Sequence, residues 1–105
     1  MPRKPPHPGE PVKIIRRLVT EGAVSFSVHA FDDRSGPRDI DFTDALEILK
    51  RGFIKGDVTP GVSAGEWNCK VIDKLDKSSR WVGVPVVIIR DKHILITTVE
   101  WEDTK

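Results

Sequence analysis

The spacing of hydrophobic residues changes near the middle of the chain, and this change limits the folds open to it. Up to residue 51, apolar residues recur at the intervals that place them on one face of an α-helix. From residue 53 onward they alternate with polar residues or form runs rich in valine and isoleucine, as in β-strands. Helices followed by strands predict an α+β fold, with the helices packed on one face of the sheet.

The helical half contains three candidate helices. The first covers about residues 10–21 and ends at Gly22, because glycine accepts the positive φ of a helix C-terminus. A short second helix covers about residues 27–34. The third covers about residues 42–51, where Asp41 is the expected N-cap residue and Asp44, three residues later, forms a variant of the capping box with it.

The second half predicts strands joined by short turns. A short strand is expected over residues 53–58, followed by a loop. Longer strands are expected over residues 66–75, 80–90 and 93–101, and together they form an antiparallel meander. Proline has no backbone N–H to donate within a sheet. We therefore expect either a β-bulge at Pro85 or a position where the missing N–H would face away from a neighbouring strand.

Length and composition indicate one small domain. The chain has 105 residues and a net charge of +1. Residues 1–9 contain four prolines and predict a flexible arm, and residues 10–105 form the single domain. No apolar run reaches about 18 residues, and no secretory signal is present, so we expect a cytoplasmic protein without membrane contact. One cysteine, Cys69, excludes an internal disulfide and a multi-cysteine zinc site, and no other metal-ligand spacing appears.

The second predicted helix carries the residues best suited to acid–base chemistry. His29 shares a helix face with Asp32 and Asp33, which would orient its imidazole as a general acid or base. Arg34 and Arg38 follow, and two arginines can bind a phosphodiester through paired hydrogen bonds. The alternatives are a structural histidine and arginines paired with the neighbouring aspartates.

Other basic and aromatic residues are candidates for RNA binding. Lys13, Arg16 and Arg17 form a basic group on the first helix, although the charge pattern alone favours a solvated helix face. Trp67 is a candidate for base stacking, or else a core residue. Lys70 lies on the opposite face of the same predicted strand, where an ordinary exposed lysine is the alternative.

Several of these motifs resemble one known family. The segment Phe26-Ser27-Val28-His29-Ala30, followed by Arg34 and Arg38, resembles the family called domain of unknown function 4258. The strands over residues 67–71 and 94–99 are also similar to that family, and the resemblance covers about residues 23–101. The family is grouped with the barnase–EndoU–colicin–RelE superfamily of metal-independent ribonucleases and toxins.

The resemblance implies an α+β fold with two to three N-terminal helices packed on one face of a four-stranded antiparallel sheet. It also implies an open RNA-binding groove on the sheet face that the helices leave uncovered. The family pattern places catalytic residues at His29, Arg34, Arg38 and Thr98, with Lys70 a weaker match. A base would activate a ribose 2′-hydroxyl for attack on the phosphodiester, and cationic groups would stabilise the transition state, with no cofactor.

The leading hypothesis is therefore a bacterial toxin that cleaves RNA and is held by an antitoxin protein. The alternative is a non-catalytic binding or regulatory module of the same fold, such as a homodimer. Glu100 lies where the family often has an aromatic hydroxyl, and the chain contains no tyrosine. A third hypothesis is DNA binding through Arg16 and Arg17.

Overall fold

The computed structural model describes residues 9–27, 40–75 and 80–102. The described residues form two helices and seven strands. The helices are α1 (Gly9–Thr20) and α2 (Phe42–Arg51). The strands are β1 (Val24–Phe26), β2 (Phe53–Ile54), β3 (Thr59–Pro60), β4 (Glu66–Leu75), β5 (Arg80–Ile89), β6 (His93–Ile96) and β7 (Glu100–Trp101). Neither described helix is long and apolar enough to cross a membrane.

Helix α1 begins and ends within one residue of its predicted bounds. Its buried side includes Ile15 and Leu18. Gly22 follows the helix with φ of 77°, and its N–H donates to the Val19 carbonyl at 3.1 Å. The Ala23 N–H donates to the Leu18 carbonyl at 2.8 Å, which completes a Schellman motif. The predicted glycine cap is confirmed.

Helix α2 has the predicted capping box. The Asp44 N–H donates to the Asp41 carboxylate at 2.9 Å, and the Asp41 N–H donates to the Asp44 carboxylate at 3.2 Å. Its apolar side buries Ala45, Ile48 and Leu49. These contacts satisfy the first amide groups of the helix and direct its apolar side toward the sheet.

The sheet differs from the prediction. It has seven strands in the order β1-β6-β5-β4-β2, with β3 also paired to β4 and β7 also paired to β5. It is mixed, because β1 runs parallel to β6. The predicted four-stranded antiparallel sheet is therefore wrong.

The missed strands are short. Strand β1 has three residues, the predicted strand over residues 53–58 is shortened to the two residues of β2, and the two residues of β3 lie in the loop predicted after it. Alternation over so few residues is not distinguishable from a loop. Ser27, where the second helix was predicted to start, lies outside any helix, and residues 28–39 lie outside the described part of the chain.

Pro85 explains why the last predicted strand is split. Its carbonyl accepts from the Thr97 N–H at 3.1 Å, so its backbone polar groups point away from β4. Strand β5 pairs with β6 through Val86–Ile89 and with β7 through Val82–Gly83. Pro85 thus occupies the gap between the two ladders, where its missing N–H removes no β4–β5 hydrogen bond.

The core lies between the helices and one face of the sheet. Side chains of alternate strand residues point to this face, and those of Val71, Val84, Val86 and Ile96 are at most 2% exposed. The intervening residues, Lys70 among them, point to the opposite face. We call this second surface the open face of the sheet.

The turn between β5 and β6 holds two non-glycine residues in a left-handed conformation. Arg90 and Asp91 have φ of 52° and 56°. The Lys92 N–H donates to the Ile89 carbonyl at 2.9 Å, as in a type I′ turn, whose two central positions favour Asn-Gly.

Changing Arg90→Asn and Asp91→Gly together should raise the free energy of unfolding by about 1 kcal/mol, because the strain of the left-handed residues is relieved. Urea denaturation measures this change. Lys92→Gly is the control, since Lys92 has no positive φ and glycine there only adds unfolded-state entropy. A double variant that is less stable than the wild type would contradict the prediction.

Candidate functional site

The open face of the sheet contains a groove with a volume of about 500 Å³. Strand β4 forms one side of it and β5 the floor, and the chain after β6 forms the far end. The segment between β2 and β3 closes the other edge. The lining residues are Lys55, Asp57, Thr59, Asn68, Cys69, Lys70, Pro85, Val86, Val87 and Thr97. The groove combines an apolar floor with two ammonium groups and several hydrogen-bonding side chains, which is typical of a ligand site.

A four-residue ionic cluster lies at the edge of this groove. The Lys70 ammonium group is 2.7 Å from one Glu102 oxygen and 3.2 Å from Glu100. The Lys55 ammonium group is 2.8 Å from the other Glu102 oxygen. The cluster therefore has no net charge, and both lysines of the groove are neutralised by side chains of the same chain.

The cluster shifts the pKa values of its members. The hydrogen bond to Glu102 raises the pKa of Lys70, against the opposing effect of burial, and Glu100 adds to the increase. Burial alone would raise the pKa of Glu102, but the hydrogen bonds from Lys55 and Lys70 together hold it below its ordinary value. Both shifts favour the charged forms and hence the intact ion pairs.

Gly83 leaves the space that Glu102 fills. A Cβ atom at position 83 would lie 2.6 Å from a Glu102 carboxylate oxygen and 3.1 Å from the Lys70 side chain. The Glu102 side chain is only 9% exposed in this position. A glycine in the middle of β5 thus allows an ion pair to lie flat across the strand.

Two predicted catalytic residues can be placed in the structure. Lys70 lines the groove. Thr98 does not line it, whereas its neighbour Thr97 does, and the Thr97 hydroxyl donates to the Pro85 carbonyl at 3.2 Å. His29, Arg34 and Arg38 lie outside the described residues, so their position relative to the groove stays a prediction.

The predicted RNA-binding residues lie away from the groove. Trp67 pairs with Ile88 on the core side of the sheet and packs against the hydrophobic core. An Arg16 N–H donates to the Gly52 carbonyl at 3.2 Å, and an Arg17 N–H donates to the Asp91 carbonyl at 2.6 Å. The structure does not bring these three side chains together with Lys70.

Glu102 was missed because the strand it follows is not continuous. Ile94 and Ile96 face the core, so unbroken alternation would place residues 100 and 102 on the core side as well. The irregular segment 97–99 reverses this pattern: Val99 is buried and the two glutamates reach the open face. Only Pro85 on the adjacent strand signals such a break in the sequence.

Changing Glu102→Gln should lower the free energy of unfolding by about 1–3 kcal/mol at neutral pH, because two ammonium groups lose a shared charged partner. The pKa of Glu102 is lowered from its ordinary 4.5, so its contribution is present above that value and is lost as the pH falls through the folded pKa. The difference between wild type and variant should therefore disappear in acid.

Urea denaturation over a range of pH checks this prediction. Glu100→Gln is the matched control, since Glu100 is 47% exposed and has one lysine contact at 3.2 Å, and its effect should be smaller. A Glu102→Gln variant as stable as the wild type at neutral pH would contradict the proposed role of the cluster.

Cys69 should be an unreactive thiol although it lies beside the groove. Burial raises its pKa to about 12, and the thiolate is the reactive form. A thiol reagent such as dithionitrobenzoate should modify Cys69 at neutral pH only when the domain unfolds, at a rate set by unfolding. The denatured protein is the positive control, and rapid modification under native conditions would contradict this prediction.

Similarity to known proteins does not identify this groove. Comparisons with models of protein families, with curated proteins and with solved structures found no match for the chain. The resemblance to the domain of unknown function 4258 therefore stays a prediction from short motifs. The function has to be inferred from the groove and the residues around it.

Proposed function

We propose that this domain binds RNA on the open face of its sheet and cleaves it, as a metal-independent ribonuclease of the bacterial toxin type. The observation that carries the proposal is the groove lined by Lys55, Lys70, Asn68 and Thr97, on the side of the sheet away from both described helices. Ammonium groups bind phosphates, and amide and hydroxyl groups contact ribose and base edges.

The position of Ser27 supports this proposal. Its N–H donates to the Ile96 carbonyl at 2.9 Å, and its hydroxyl donates to the Thr97 carbonyl at 2.9 Å. Thr97 lines the groove, so Ser27 is held beside the groove's far end. Ser27 is the serine of the motif that continues to His29, two residues later in the sequence.

The proposed reaction is a transesterification within the RNA strand. His29 accepts the proton of a ribose 2′-hydroxyl, whose oxygen then attacks the adjacent phosphorus. The bond to the 5′-oxygen of the next nucleotide breaks, and that oxygen takes up a proton. The products are a 2′,3′-cyclic phosphate and a 5′-hydroxyl. Arg34, Arg38 and Lys70 stabilise the negative charge that develops on the phosphoryl oxygens.

A second candidate is a binding module of this fold without catalysis. The state of Lys70 favours it, because Glu100 and Glu102 already neutralise this cation. Glu100 also places a carboxylate where the resembling family often has an aromatic hydroxyl. Such a module would bind a partner, or a second copy of itself, without cleaving RNA.

Changing His29→Ala should abolish growth arrest on induced expression and lower the rate of RNA cleavage by about 10²–10⁴-fold, the usual contribution of a general acid–base group. The measurements are the growth curve and the digestion of total RNA by purified protein. His93→Ala is the matched control, since the His93 ring contacts Ser25 at 2.7 Å and does not line the groove.

The controls separate the two candidate functions. Circular dichroism establishes that both histidine variants remain folded. Normal growth and intact RNA with the wild type would contradict the nuclease and favour the binding module. Cleavage that is lost in His93→Ala but kept in His29→Ala would contradict the assignment of His29. A co-expressed antitoxin protein should restore growth with the wild type.

A further inference from the structure

Two lysines on the open face of the sheet hold one carboxylate between them. The Glu102 oxygens accept from Lys55 at 2.8 Å and from Lys70 at 2.7 Å, one lysine to each oxygen. A phosphodiester also presents two charged oxygens on one atom. The same pair of ammonium groups is therefore matched to a phosphate as well as to a carboxylate.

The position of this carboxylate is shaped by the backbone of β5. A Cβ atom at Gly83 would lie 2.6 Å from the Glu102 oxygen that Lys70 contacts and 3.1 Å from the Lys70 side chain, so any other residue would enter the space that this carboxylate occupies. We call this space, bounded by Lys55, Lys70 and Gly83, the anion seat. Glu102 occupies it from the end of a strand of only two residues, β7.

Two exposed aromatic rings lie next to the anion seat on the same face. Phe53 is 51% exposed and Trp81 is 36% exposed, and their rings meet edge to face with centroids 6.1 Å apart. Phe53 precedes Lys55 by two residues, and Trp81 precedes Gly83 by two residues. Two residues along a strand span about 7 Å, a distance that one nucleotide can bridge between its phosphate and its base.

We propose that the anion seat and the aromatic pair form a nucleotide subsite for single-stranded RNA, and that Glu102 occupies the seat in the free domain. A phosphate of the bound strand displaces the Glu102 carboxylate from Lys55 and Lys70, and the adjacent base stacks on Trp81. This inference rests on the RNA function proposed above. It adds the place where the strand binds and the group that competes with it.

The combination of groups favours RNA over an acidic protein as the occupant. Nucleic-acid sites that accept any sequence pair cationic groups for the backbone with aromatic rings for the bases. An acidic peptide would use the lysines but has no flat ring to place on Trp81. The aromatic pair therefore favours RNA over an acidic peptide. Substituting Trp81 should weaken the binding of RNA but not that of an acidic peptide.

The test measures binding without cleavage. A fluorescein-labelled 2′-O-methyl RNA of about ten nucleotides covers a site of this kind and lacks the hydroxyl needed for transesterification. Fluorescence anisotropy gives its Kd. Glu102→Gln should bind this RNA about tenfold more tightly than the wild type, because no charge-assisted hydrogen bonds with the carboxylate have to be broken.

A matched control tests whether the effect is local. Glu47→Gln removes the same charge from α2, where Glu47 lies 3.8 Å from Arg51, and it should leave the Kd unchanged. If both variants bound the RNA more tightly by the same factor, the change in net charge alone would explain the effect, and the proposal would be overturned. No tightening in a folded Glu102→Gln variant would also overturn it.

The aromatic pair is tested separately. Trp81→Ala should weaken binding of the labelled RNA about tenfold through lost stacking. Phe42→Ala, which removes a 57% exposed ring on α2, should have no effect. Gly83→Ala places a methyl group in the seat and should weaken binding even if Glu102→Gln fails to fold. Unchanged binding by Trp81→Ala, or by Gly83→Ala, would overturn the subsite.

Failure of this inference is distinct from failure of the proposed function. Cleavage of ordinary RNA without the expected changes in Kd would overturn the subsite and keep the nuclease. The expected changes in Kd without cleavage would keep the subsite and contradict the nuclease. A decamer of glutamate that competes as well as RNA, and equally in Trp81→Ala, would overturn the RNA assignment in favour of an acidic protein.

Discussion

The pairing of β4 with β5 is the constraint on which the other features of this structure depend. All ten residues of each strand are matched, from Glu66 opposite Ile89 to Leu75 opposite Arg80. This register assigns each side chain of the hairpin to one of two faces. Val71 and Val84 meet on the core side, and Lys70 and Pro85 meet on the open side. A shift of one residue would bury the lysine and expose the valines.

Polar and charged side chains reach the open face of the sheet where the regular strand pairing stops. β5 has β6 beside one part of it and β7 beside another, with residues 97–99 outside both ladders. This interruption lets Thr97 reach the groove and brings Glu102 over Gly83. The break in the sheet and the charged cluster thus have one cause, because a continuous strand would direct Glu102 toward the core.

The parts of the fold that sequence predicts well are those governed by local interactions. The Asp41–Asp44 capping box and the Gly22 cap depend on residues close in sequence, and both appear as predicted. Lys70 was placed on the face opposite Trp67 by simple alternation within one strand. The number of strands and the parallel pair were not predicted, because β1 pairs with β6 across about two thirds of the chain. Glu102 and Lys55 meet Lys70 only after β2, β4, β5 and β7 are aligned, and no local sequence pattern predicts that contact.

The parallel pairing of β1 with β6 also bears on how the chain reaches its native state. Val24 pairs with Ile94, and Phe26 with Ile96, so this part of the sheet closes a loop that contains α2 and the whole β4–β5 hairpin. Loop-closure entropy opposes such distant pairing until the intervening elements have formed, and folds with many distant contacts fold slowly. During synthesis, β1 leaves the ribosome long before its partner strand exists. The edge of the sheet formed by β1 can therefore assemble only after residues 93–97 have been made, and these residues include Thr97 of the groove.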